Sequence, residues 1–216
     1  MAERSVVSLR DLAAGTVLAP ERYDPRRQLP WRGPPLGSLA QLVTDSVPSW
    51  EGPAIVLDTS HVSDGVVRPP PLDPAPELGS ARRVLLPGDV VISRLRPYLR
   101  QIAWVDPGLW TGHPEAALLG SPELLALRPT DPQSLAFLVP LLLSAPVQRA
   151  LAAAQEGSHH PRVPRDFLAS LPVPGAWLAE RAARSAAVEE AIAATRAGAA
   201  TLAQLSEAAA TSADSG

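Results

Sequence analysis

Residues 85–105, LLPGDVVISRLRPYLRQIAWV, hold the pattern from which the fold is read. Arg82-Arg83-Val84-Leu85-Leu86 predicts a strand, and Pro87-Gly88-Asp89 breaks it, because proline fixes φ and Gly and Asp favour turns. Val90-Val91-Ile92-Ser93 is apolar and β-branched, so a second strand follows, and Gln101 to Val105 predicts a third. Between them stand Arg94, Arg96 and Arg100. Strand alternation would put Arg94 and Arg96 on one face, with Pro97 and Tyr98 ending the strand. Arg82, Arg83, Arg94, Arg96 and Arg100 against the single acid Asp89 give residues 81–100 a local charge of +4.

Working outward, 53–62 (PAIVLDTSHV) reads as a strand, followed by a turn at Ser63-Asp64-Gly65 and a short strand at Val66-Val67. The Pro-rich stretch 68–79 is too long and rigid for a hairpin turn. Residues 123–129 (ELLALRP) form a further strand. From 133 the period becomes helical. Residues 134–144 are apolar all round and suggest a buried helix; 145–156 suggests a second, with Pro146 in its first turn and Gly157 as its stop. A short helix follows at 166–171, then Leu171-Pro172-Val173-Pro174. Toward the N-terminus, 37–43 (GSLAQLV) has helical spacing and 20–35 carries too many prolines for regular structure. Short strands are expected at 5–9 and 15–18, with Asp11 a helix cap.

Residues 176–210 are a different material, roughly half Ala with no proline after Pro174. Leu178, Val188, Ile192 and Leu202, with Ala199 between, fit a 3.5-residue repeat and predict one long helix seeking a partner helix. The expected division is therefore a domain at 1–175, a spacer or dimerisation helix at 176–210 and a disordered tail at 211–216.

The chain has 216 residues, 46% hydrophobic and 19% charged, enough for one domain with an appendage. All 19 basic residues are Arg, and proline is 25 of 216, which bespeaks a G+C-rich genome more than a function. A net charge of −3 excludes coating nucleic acid by bulk charge but allows a local basic face. No Cys excludes disulfides, Cys-ligated zinc, iron–sulfur clusters and a thiol nucleophile. The charged start lacks a signal peptide's apolar run, and no segment reaches about 20 apolar residues, so a cytoplasmic protein without a membrane span is expected.

No catalytic constellation is legible. None of His61, His113, His159 and His160 accompanies a G-x-S-x-G elbow or an H-E-x-x-H zinc motif, and no P-loop, G-x-G-x-x-G or methyltransferase [N/D]-P-P-[Y/F] is present. Adjacent His159-His160 lack a third metal ligand nearby. Two polar clusters stand out instead. One is Ser93, Arg94, Arg96, Tyr98 and Arg100, with Arg82 and Arg83: guanidinium forks suit phosphate and guanine edges, and Tyr can stack. The other is Ser158, His159, His160, Arg162 and Arg165, after a helix. The competing readings are a solvated edge whose Arg stems cover apolar surface and an ordinary interhelical loop.

The ordered set of segments resembles the specificity subunit of type I restriction–modification systems. The residues that carry the resemblance are Gly88-Asp89-Val90-Val91-Ile92-Ser93-Arg94, Leu127-Arg128-Pro129, the Gly157–Val163 loop and Phe167 to Pro174, in that order before a long helix. The strand–turn–strand at 56–67 and RYDP at 22–25 are similar too. Two features depart from the family: GAWLAERA replaces a Gln-Gln-type helix start, and there is room for one recognition domain, not two. The resemblance implies an α+β target recognition domain with a mixed, mainly antiparallel sheet and packed helices, plus a coiled-coil-like C-terminal helix. It implies double-stranded DNA as ligand, no catalysis, cofactor or metal in this chain, and an adenine methyltransferase partner that holds S-adenosylmethionine. In some systems a restriction nuclease subunit joins. Homodimerisation through the C-terminal helix and pairing with methyltransferase helices both remain open. So do a recognition module of another phage-defence or modification system and a non-catalytic protein-interaction scaffold.

Overall fold

The computed structural model describes residues 24–157 and 159–213. The strands expected at 5–9 and 15–18, Asp11, Ser158 and residues 214–216 lie outside them. Nine strands and five α-helices fall within. A four-stranded antiparallel sheet has the order β1-β9-β6-β7: β1 is Ala40–Val43, β6 Val90–Ser93, β7 Ile102–Trp104 and β9 Leu124–Pro129. A three-stranded mixed sheet joins β2 (Ala54–Leu57), β8 (Ala117–Gly120) and β5 (Arg83–Leu85), with β2 parallel and β5 antiparallel to β8. The hairpin β3 (Val62–Ser63) and β4 (Val66–Val67) turns at Asp64 and Gly65, both at positive φ, and leans on β7 through Gly65 and Ala103.

The larger sheet is the middle layer. Ladder partners share a face, so Val90, Trp104 and Leu127, with Ile92, Ile102 and Leu125, all point to the helices. Val91, Ala103 and Ala126 point the other way, to Ile55, Leu57, Leu85 and Leu118 around the smaller sheet. Covering on both faces is why β6 reads as a continuous apolar run with no polar alternation. On the helical side, α1 (Leu138–Leu143) and α2 (Ala145–Ala153) bury Leu138, Leu141, Leu142, Val147 and Leu151. Phe137, just ahead of α1, is wholly buried.

Three expectations about the strands change. Residues 37–43 form one 3-10 turn, Leu36–Ser38, and then strand β1, because β9 offers β1 a ladder edge that a helix would leave unpaired. The strand from Ala54 stops at Leu57, since Thr59–His61 curl into a 3-10 turn capped by Asp58. The strand–turn–strand at 82–95 is present, yet β5 and β6 do not pair: the chain turns a corner between sheets at 86–89. Strand β8, hidden in AALLG, is the ladder partner that β5 takes instead. Asp89, wholly buried, holds that corner by accepting the Leu86 amide and both arms of Arg128, at 2.9 and 2.8 Å.

The Leu171-Pro172-Val173 segment is a docking rail. Leu36 donates its amide to the Leu171 carbonyl, Val173 donates to Pro34, and the Trp31 indole donates to Pro172. The approach at Gly33 is so close that a Cβ there would lie 1.8 Å from the Val173 oxygen, so only glycine fits. Helix α3 (Arg165–Ser170) leads into this rail.

Beyond it, α4 (Gly175–Ala179) ends at Glu180 and α5 runs from Arg181 to Ala213, past the tail boundary expected at 210. The first half of α5 packs on its own domain. Arg181 forks Asp131 at 2.8 and 2.9 Å and lies over the Phe137 ring; Ser185 bonds Ser134 and Phe137; Val188 and Ile192 enter the core; Arg196 reaches Asp106 at 3.0 Å and covers Gly108. Leu178, Val188 and Ile192, expected to face a partner helix, therefore belong to the intramolecular seam, whose spacing of four, three, four and four residues includes the polar positions 181, 185 and 196. Ala199 and Leu202 do face outward, and Leu202 and Leu205 are 67% and 62% exposed. At 1.5 Å per residue, the stretch from Arg196 to Ala213 projects about 25 Å past the last anchoring contact. No helix among the described residues is long and apolar enough to cross a membrane.

Candidate nucleic-acid interface

The β6 strand ends at Ser93, and the chain leaves the sheet in a direction fixed by backbone bonds. The Arg94 amide donates to Glu123, Val163 donates to the Arg94 carbonyl, and Leu95 bridges to Arg162. The two basic clusters, some 70 residues apart in sequence, thus meet on one surface. Arg162, Arg94 and His160 lie around Glu123, and Arg165 and the buried Arg83 lie near Arg94. Arg162 forks Glu123 at 2.5–3.0 Å and also donates to the His160 carbonyl. That fork, with Arg94 and His160 adding to it, holds the Glu123 carboxyl below its ordinary value. Arg94 donates Nε to the Val163 carbonyl at 3.2 Å. Arg165 is exposed, and neither it nor Arg83 nor Arg94 has an ion-pair partner among the described residues. His159 and His160 are exposed with rings perpendicular at 6.0 Å.

The β6–β7 turn rises beside this cluster. Arg96 and Arg100 both sit in the left-handed region, at φ 46° and 53°, flanking a 3-10 turn at Pro97–Leu99. Such positions cost non-glycine residues of order 1 kcal/mol each and persist only where surroundings hold them. Buried Pro97 and Arg100 are the holders: Arg100 pairs with Asp64 at 2.8 Å and donates to the Leu143 carbonyl. The tip they present carries Tyr98, 69% exposed, with Leu99 beside it and Arg96 at its base.

Four expected site residues are placed otherwise. Ser93 is buried, its hydroxyl bound to the Leu95 backbone, because the corner after β6 needs that turn closed. Arg83 is 2% exposed, since β5 turns it inward to the Leu124 carbonyl. Arg82 points away to Asp58 at 2.7 Å. Arg96 does not share a strand face with Arg94, because β6 has already ended. Glu123 and Leu99 carry no signal in the sequence, and Asp64 none beyond its turn; an acid inside a basic surface is invisible until β8–β9 and β6 are brought together. Among the described residues no group of three His, Cys, Asp or Glu could hold a metal ion, and the His61 ring caps the Asp58 amide.

No protein-family model matches this sequence, and no curated protein does. Solved structures do. A chain from a structure of type I restriction–modification complex assembly and conformational transition is similar at 25% identity and TM-score 0.56, covering 83% of this chain and 47% of that one. The HsdS subunit of Thermoanaerobacter tengcongensis is similar in fold at 21% identity and TM-score 0.51, covering 82% and 47%. This chain thus spans about half the length of each. Its fold is that of type I specificity subunits, a mixed α/β body followed by a long C-terminal helix.

Proposed function

We propose that this chain, a single recognition unit on the specificity-subunit fold, binds one half of a bipartite DNA site and holds an adenine methyltransferase on it. The observation that carries the reading is the meeting of Arg94, Arg162 and Arg165 beside the clamped Arg96–Tyr98 turn. Cations there give phosphate contacts that position a duplex, and the rigid tip offers Tyr98 and Arg96 to base edges. An acidic chain with one basic face binds wrong sequences weakly, which favours discrimination. The chain itself supplies no chemistry in this reading; S-adenosylmethionine belongs to the methyltransferase partner, and a nuclease subunit joins in some assemblies.

Fluorescence anisotropy on duplex DNA, with the methyltransferase present, tests it. Replacing Arg94, Arg96 and Arg165 together with Ala should weaken binding at least 100-fold at low salt and flatten its salt dependence by about two to three units. A triple variant that binds like the parent sinks the DNA reading and leaves a protein-interaction scaffold. Tyr98→Ala should relax sequence preference at about 1–3 kcal/mol with the salt slope unchanged.

The same proposal assigns the outer half of α5 to helix pairing, with an antiparallel copy of itself or with methyltransferase helices. Leu202→Asp with Leu205→Asp should leave the melting temperature unchanged, because both side chains are exposed, and should abolish the assembly in light scattering. An assembly that survives the double substitution removes α5 from the interface.

A further inference from the structure

Arg83 is an anomaly that the fold does not explain. A guanidinium buried to 2% exposure normally has a carboxylate partner, because an unpaired buried charge is costly. Arg83 has one backbone carbonyl, Leu124, on Nη1, and its Nε has no partner. Its neighbours make this worse. Leu124 follows Glu123, whose carbonyl takes the Arg94 amide; Arg94 in turn binds Val163 by backbone and side chain; and Arg165 stands two residues further on. Burial above all, and after it Arg165 and Arg94, push the Arg83 guanidinium toward losing its proton. The nearby carboxylate, Glu123, is already forked by Arg162. Three guanidinium groups are thus held together with none of them paired to a carboxylate, an arrangement that gains from an anion.

We propose that Arg83, Arg94 and Arg165 form a seat for one tetrahedral oxyanion, filled in the functional complex by a backbone phosphate of the DNA. The source of the phosphate rests on the DNA-binding reading above; the seat itself does not. Buried Arg83 fixes the floor, half-buried Arg94 the wall, and exposed Arg165 closes over the ligand from the first turn of α3. Forked, preorganised guanidinium donors match phosphate oxygens better than flexible point charges would. One phosphate located this way would fix the register of the duplex against the neighbouring Arg96–Tyr98 tip.

The test uses the whole chain and inorganic phosphate as probe. At constant ionic strength, replacing chloride by phosphate at tenfold its dissociation constant should raise the melting temperature by about 3 °C. Arg94→Ala and Arg165→Ala, chosen because Arg83 variants risk the core, should each lose that rise. Arg165→Ala should melt no lower than the parent in chloride, since it is exposed and relieves like-charge crowding. A parent indifferent to phosphate, or variants that respond like the parent, overturns the seat. A second arm measures duplex binding against salt with the methyltransferase present. Arg165→Ala should reduce the slope by about one unit, uniformly across sequences. A phosphate response with an unchanged slope keeps the seat but overturns DNA as the source of its phosphate. A phosphate response in a complex that binds no DNA overturns the function proposed above and leaves the seat standing.

Discussion

Arg128→Met is expected to destabilise the domain by about 3–5 kcal/mol, the range for breaking a buried ion pair by removing one partner. Asp89 is wholly buried, and Arg128 supplies two of the three hydrogen bonds given to its carboxylate. The fork also holds the Arg128 proton more firmly than usual, chiefly through the bond to Asp89. Methionine fills the aliphatic space of Arg but leaves the charge of Asp89 inside with only the Leu86 amide. Asp89→Asn with Arg128→Met should recover much of the loss, because no buried charge remains. Urea denaturation of the two variants checks this. The corner at 86–89 is where the chain passes from one sheet to the other, so a loose corner separates both layers. Equal stability of parent and Arg128→Met would show that water reaches Asp89 freely.

Ile192→Asp should cost about 3 kcal/mol and detach the inner half of α5 from the body. The site is 6% exposed, and the substitution removes an apolar side chain and buries a carboxylate beside Val188. The loss is capped by the docking free energy of this one element, since the helix can lift away rather than unfold the domain. Amide exchange should therefore speed up over 181–196 while β6 and β9 stay protected. Acid should produce a milder version of the same effect. Arg181, through its fork, holds the Asp131 carboxyl below its ordinary 3.8, so this contact contributes fully above about pH 4 and is lost as the pH falls below that. If exchange at 181–196 is already fast in the parent, the inner half of α5 is not docked in solution.

The seam of α5 shows where sequence reading stops. Leu178, Val188 and Ile192 were legible as apolar positions on a helix, but not as residues of the domain core. The stripe that docks is half polar, with Arg181, Ser185 and Arg196 satisfied by Asp131, Ser134 and Asp106. A periodicity count discards such positions, and the apolar remainder then predicts only a helix seeking a partner helix. The basic clusters show the reverse. Arg94 and Arg165 were visible as candidates because arginine excess is local in sequence. Their meeting was not visible, because it depends on β6 leaving the sheet beside Glu123 and the Gly157–Val163 loop.

By itself the sequence determined the strands at 83–85, 90–93, 102–104 and 124–129, the helices after 138, and the long final helix. These follow from apolar period and from proline and glycine punctuation, which act over a few residues. It also determined, through the order of its motifs, the family that the fold resembles. Only the tertiary structure decided that β5 and β6 belong to different sheets, that 40–43 is a strand, and that half of α5 is core. It also decided that Arg83 is buried while Arg165 is free. Each of those depends on which partner is nearer in space once the chain is closed, and ladder edges, burial and ion pairs between distant residues leave no periodic trace along it.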